Sequence, residues 1–148
     1  MISQSFYNNK YLKKVFDLDI INIKLVESKI KQYTGFTPMT KDELIVAVKM
    51  WYSNEWYSDE VDNEAILLKY GCISNWNVQN INDMSRIFHG YEYFNEPLNN
   101  WNVSNVTNMN FMFYKCEKFN QPINNWNVSS DTRMVGMFSH CKMKNPFK

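Results

Sequence analysis

The side chains that could do chemistry are few, and their spacing argues against a reaction centre. His89 and His140, the two imidazoles, lie outside any metal-ligand spacing. Asp59, Glu60, Asp62 and Glu64 form an acidic cluster. It coincides with the start of an expected helix, whose N-terminus favours carboxylates without any metal. Cys72, Cys116 and Cys141 make no C-x-x-C pair. The chain has four glycines and no glycine-rich phosphate loop, and no serine lies in a G-x-S-x-G context. The expectation is therefore no catalytic residue, no cofactor and no metal. An unfamiliar hydrolase is a distant third reading.

What the sequence does contain is repetition. Trp76, Trp101 and Trp126 open three similar segments with a period of 25 residues. With the tryptophan counted as zero, apolar columns stand at plus 2 (Val78, Val103, Val128) and plus 8 (Met84, Met109, Met134). Others stand at plus 12 (Phe88, Phe113, Phe138) and plus 18 (Phe94, Phe119). No single segment could bury such a set alone, so equivalent residues must stack to build a shared core. Asparagine forms columns at plus 1 (Asn77, Asn102, Asn127) and plus 19 (Asn95, Asn120), where an amide can satisfy backbone groups at bends. Pro97 and Pro122 mark another corner. This pattern predicts short parallel strands near each Trp-Asn-Val and a helical turn at about 108–114. In the last repeat, Asp131 replaces an apolar residue and Lys144 replaces phenylalanine, with Met143 placed to slide in and compensate, as expected of a terminal cap. Cys116 and Cys141 fall in one column. Stacking about 4.8 Å apart makes a disulfide conceivable, and buried apolar thiols are the simpler reading.

Ahead of the repeats, residues 1–35 carry a mixed periodicity that favours helix by its length. Residues 36–72 read as a helical cap. Thr40-Lys41-Asp42-Glu43 is a capping box, followed by Leu44, Val48 and Trp51 on one face with Ile45 and Ala47 at its edges. A second helix is expected over 63–70, closed by Gly71 in a left-handed cap. Residues 73–148 form the repeat region.

Composition adds limits. The chain is 45% hydrophobic and 16% aromatic, which argues against disorder. Its net charge of +1 leaves no electrostatic footprint for nucleic acid. No signal peptide and no membrane span is legible, so an intracellular location is expected, with the sequons at Asn102, Asn105 and Asn127 incidental.

The stretch FNQPINNWNVSNVTNMNFMF resembles the roughly 25-residue repeat of mycoplasma-type surface proteins, a branch of the BspA-like leucine-rich repeats also found in large DNA viruses and algae. The resemblance runs from Lys41 to about Phe138 and includes the lead-in KYGCISNWNV. It implies an α+β, leucine-rich-repeat-like solenoid of about three coils behind a helical N-terminal cap. It further implies a role in binding or surface display, with no catalytic residue. The chain departs in having asparagine after each tryptophan, where many members have aspartate, and in lacking a lipoprotein signal. Its asparagine- and lysine-rich usage suits an AT-rich genome, such as that of a giant virus, with the host cytoplasm or virion as its place.

The favoured function is a non-enzymatic protein–protein interaction module with an unknown protein partner. The alternative is a self-assembling structural or virion component. Positions that vary between repeats are where a partner could be read. Plus 10 holds Arg86, Phe111 and Gly136, and plus 13 holds His89, Tyr114 and Ser139. Arg86, His89, Phe111 and Tyr114 form the candidate partner face, since aromatics and arginine are enriched at interface hot spots.

Overall fold

The computed structural model describes residues 35–56 and 69–147. The segment expected to be helical over 1–35 and the acidic cluster lie outside the described residues, as does most of the second helix. Lys69 and Tyr70 are helical, and Gly71 follows them with φ of 63°, the left-handed cap that its position requires.

Helix α1 spans Lys41–Trp56. The Thr40 side chain accepts from the Glu43 amide at 3.2 Å, and the Glu43 carboxylate reaches back to the Met39 amide at 2.7 Å. This is the expected capping box, with its return bond displaced by one residue. Leu44, Ala47, Val48 and Tyr52 are buried, and Trp51 and Ile45 are half-buried beside them. That apolar face joins the core of the repeats. Tyr52 stacks on Tyr91 with ring centroids 4.1 Å apart, and Lys41 bonds the side chains of Asp83 and Ser85 at 3.1 and 2.7 Å. Burial would raise the Asp83 carboxyl, yet its bonds from Ser85 and Lys41 outweigh this and hold it below the usual range.

The expected α+β, leucine-rich-repeat-like solenoid with short parallel strands is not what forms. Among the described residues α1 is the one full helix, accompanied by a single 3₁₀ turn at Ile73–Asn75, and no strand or sheet is present. Pairing is limited to isolated parallel bridges, Asp83 to Asn108 and Asn108 to Arg133. The Trp-Asn-Val segments are irregular, and the stretch around 108–114 is a run of turns instead of a helical one. Backbone conformation supplies the reason. Arg86, Phe111 and Gly136 at plus 10 have φ of 62°, 56° and 62°. Gly90, Lys115 and His140 at plus 14 have φ of 80°, 60° and 62°. Two left-handed residues four apart in each repeat stop both helix and strand from propagating through this stretch.

Hydrogen bonding within these turns alternates. The amides of Met84, Arg86, Phe88 and Gly90 donate to the carbonyls of Asn108, Asn110, Met112 and Tyr114 in the next repeat, at 2.8–3.1 Å. Met109, Phe111, Phe113 and Lys115 do the same to Arg133, Val135, Met137 and Ser139, at 2.7–3.0 Å. Intervening amides bond within their own repeat, three residues back: Ile87 to Met84, His89 to Arg86 and Tyr91 to Phe88, with equivalents in both later repeats. Even positions thus tie repeats together while odd positions close turns.

Between repeats the apolar columns stack. Phe113 is fully buried and its ring packs near Phe88, Phe119 and Phe138, with centroids 5.3, 4.1 and 5.7 Å away. Trp76 and Trp101 stack at 6.3 Å. The Trp101 and Trp126 indoles donate to the carbonyls of Ile73 and Leu98, both at 2.8 Å. Those two carbonyls also accept from the backbone amides of Trp76 and Trp101, so each uses both lone pairs. Asparagine serves bends as expected, Asn95 accepting from the Asn120 amide of the next repeat at 2.9 Å. Asn77 and Asn102 close local turns on Gln79 and Ser104. We expect Phe113→Ala to cost about 3–5 kcal/mol in denaturant melts and Phe138→Ala, already half open in the last repeat, about 1–2 kcal/mol. Equal losses would contradict the stacking.

Candidate functional site

The left-handed plus 10 column and the plus 13 column beside it shape one side of the repeat stack. At plus 10, the Arg86 guanidinium lies over the Phe111 ring, 4.8 Å from its centroid. Phe111 in turn covers Gly136, where an added Cβ would meet two ring carbons at 2.5 and 2.7 Å. Gly136 therefore has two reasons to be glycine: its positive φ, and the ring lying against it. At plus 13, His89 stacks on Tyr114 at 4.9 Å. Tyr114 meets Phe111 edge-on at 5.9 Å, which joins the two columns.

The four residues of the candidate face are thus brought into one contiguous array. Arg86 is exposed, while His89, Phe111 and Tyr114 are half-buried. Two further residues join them that variability alone did not single out. The His140 ring packs edge-on against Tyr114 at 5.4 Å, and the Lys115 ammonium lies 5.6 Å from the same ring. Both stand at plus 14: Lys115 follows Tyr114 directly in its own repeat, and the 25-residue period brings His140 of the next repeat beside the same ring. Plus 10, singled out because its residue type varies, nevertheless carries a shared structural duty. All three of its residues share the left-handed backbone, and glycine at 90 and 136 was the available signal.

Chemically, the array offers flat rings, a guanidinium and an ammonium, the groups that bind by stacking and cation–π contact. The described residues contain no cluster of three or more His, Cys, Asp or Glu side chains able to hold a metal ion.

The thiols are all free. Cys116 is buried and donates to the Phe88 carbonyl at 2.9 Å, and half-buried Cys141 bonds the Phe113 carbonyl in the equivalent way. Contact with Cys141, together with burial, pushes the Cys116 thiol far above its ordinary pKa, and the same contact lowers that of Cys141. Burial and the nearby Glu96 push Cys72 up to about 12. Burial thus disfavours the thiolate form of both Cys72 and Cys116.

Compared with known families, residues 56–147 match the family described as "Mycoplasma protein of unknown function, DUF285". The chain belongs to that family. No curated protein and no solved structure matches it. The DUF285 region takes in all three tryptophan repeats and the segment leading into them, so the aromatic array lies wholly within it. No helix among the described residues is long and apolar enough to cross a membrane.

Left-handed geometry at plus 14 yields a direct prediction. Lys115→Gly should raise stability by about 0.5–1 kcal/mol, and Lys115→Val should lower it by about 1–2 kcal/mol, because a Cβ is strained at positive φ. Denaturant melts of both variants provide the check. A valine tolerated as well as glycine would contradict the assigned conformation.

Proposed function

We propose that this DUF285 protein is a non-catalytic interaction module that binds a protein partner through its lateral aromatic face. The observation that carries this reading is the unbroken array from Arg86 through Phe111 and Tyr114 to His89, extended by His140 and Lys115. Half-buried rings held edge to edge lose little further conformational freedom on binding, and arginine with tyrosine are the types enriched at hot spots. Repeat architectures present such surfaces because each repeat places a side chain at the same lateral position as its neighbour. The array would suit a partner surface offering carboxylates beside apolar or aromatic groups, since its charged members are all basic.

Capture of a partner from extracts of the source cells tests this, with the Arg86→Glu, Tyr114→Ala double variant as comparison. The expected result is lost capture with an unchanged thermal melt. Retained capture by the folded variant would overturn the reading. Light scattering across a concentration series separates it from self-assembly: a constant monomer mass supports a module for other partners, and a mass rising with concentration supports a structural assembly.

A further inference from the structure

Apart from the lateral face, one column of the repeats carries sulfur. Cys116 and Cys141 stand at plus 15 of the second and third repeats, and the first repeat has Tyr91 there. Their thiols are placed alike. Each donates to the plus 12 carbonyl of the preceding repeat, Cys116 to Phe88 and Cys141 to Phe113. A short translation relates the repeats that hold them. The Phe113 ring lies 5.3 Å from Phe88 and 5.7 Å from Phe138, and Phe94 lies 5.8 Å from Phe119. A step of about 5 Å sets the two cysteine Cα atoms inside the roughly 4.4–6.8 Å that a disulfide spans. The two side chains are in direct contact, and no further segment is needed to bring them together.

We propose that Cys116 and Cys141 are a redox pair that closes to a disulfide when the chain meets hydrogen peroxide, stapling the third repeat to the second. Cys141 reacts first. Contact with the Cys116 thiol lowers its pKa, and the Cys116 amide adds to this against the effect of burial. Cys116 is fully buried and its thiol is held far above the ordinary range. Only the thiolate is a strong nucleophile, so the two roles divide in that way.

The Cys141 thiolate attacks one peroxide oxygen and the O–O bond breaks. The products are a sulfenic acid and hydroxide, which takes up the proton that Cys141 released. The Cys116 sulfur then attacks the Cys141 sulfur. The S–O bond breaks, and the oxygen leaves as water with the Cys116 proton. Two thiols and one peroxide thus become one disulfide and two waters. Neither carbonyl is orphaned by the change. Phe88 still accepts from the Tyr91 amide at 3.1 Å, and Phe113 from the Cys116 amide at 3.0 Å. A bond between residues 25 apart also restricts the unfolded chain, which favours the stacked state.

The test treats the full chain with hydrogen peroxide, blocks the remaining thiols with N-ethylmaleimide, and maps tryptic peptides by mass spectrometry. Trypsin cuts after Lys115, Lys118, Arg133 and Lys142, so the pair falls on separate peptides. The expected product joins 116–118 to 134–142 within one molecule and is released by dithiothreitol. Cys141→Ser should abolish it, and Cys72→Ser, outside the column, should leave it intact. Adding dithiothreitol to the oxidised chain should lower its thermal midpoint by about 5 °C, a step that leaves oxidised methionines unchanged. Cys141 recovered only as the free thiol or as sulfinic or sulfonic acid would overturn the proposal. Links that join Cys72, or that form only between molecules, would overturn it as well. A midpoint that dithiothreitol does not move would remove the stapling role.

Discussion

A backbone that is neither helix nor strand must still find partners for its buried amides and carbonyls. This chain meets that constraint by alternation: even positions from plus 8 to plus 14 donate to the next repeat, and odd positions donate three residues back. The left-handed residues at plus 10 and plus 14 make the alternation geometrically available, because they turn the chain before either regular pattern can extend. Stacked phenylalanines and buried indoles add the apolar contribution, but their register is set by this bonding. A slip of one residue would present amides where carbonyls are needed.

The lateral surface follows from the same constraint. Left-handed residues hold plus 10 side chains outward beside plus 13, and this is what places Arg86 over Phe111 and His89 against Tyr114. The conformation that satisfies the backbone thereby arranges the aromatic array. Among the described residues the same directional ladder leaves carbonyls at the first repeat and amides at the last. Helix α1 packs over the first.

Much of this was legible in the residues. The tryptophan, methionine and phenylalanine columns identified the core because large apolar side chains have few places to go. Thr40 and Glu43 marked the start of α1, and Gly71 a left-handed cap, since each motif has a local cause. The backbone of the repeat was not legible. Val78 and Val103 suggested strands, yet they are buried on an irregular backbone, and the parallel bridges fall five residues later at Asp83 and Asn108. Arg86, Phe111, Lys115 and His140 are ordinary L-residues in a conformation that side-chain type alone does not announce. Only Gly90 and Gly136 hinted at it, one in each column, and Gly136 also marks the place where Phe111 lies against the backbone.

Amide hydrogen exchange, resolved residue by residue, tests the alternation most directly. In the two internal ladders, Met84, Arg86, Phe88 and Gly90, with Met109, Phe111, Phe113 and Lys115, should be protected together. In the last repeat protection should alternate along the chain, with Met137, Ser139 and Cys141 slow and Met134, Gly136, Phe138 and His140 fast. Uniform protection across 134–141, or fast exchange at the eight internal donors, would contradict this account of how the repeats are held.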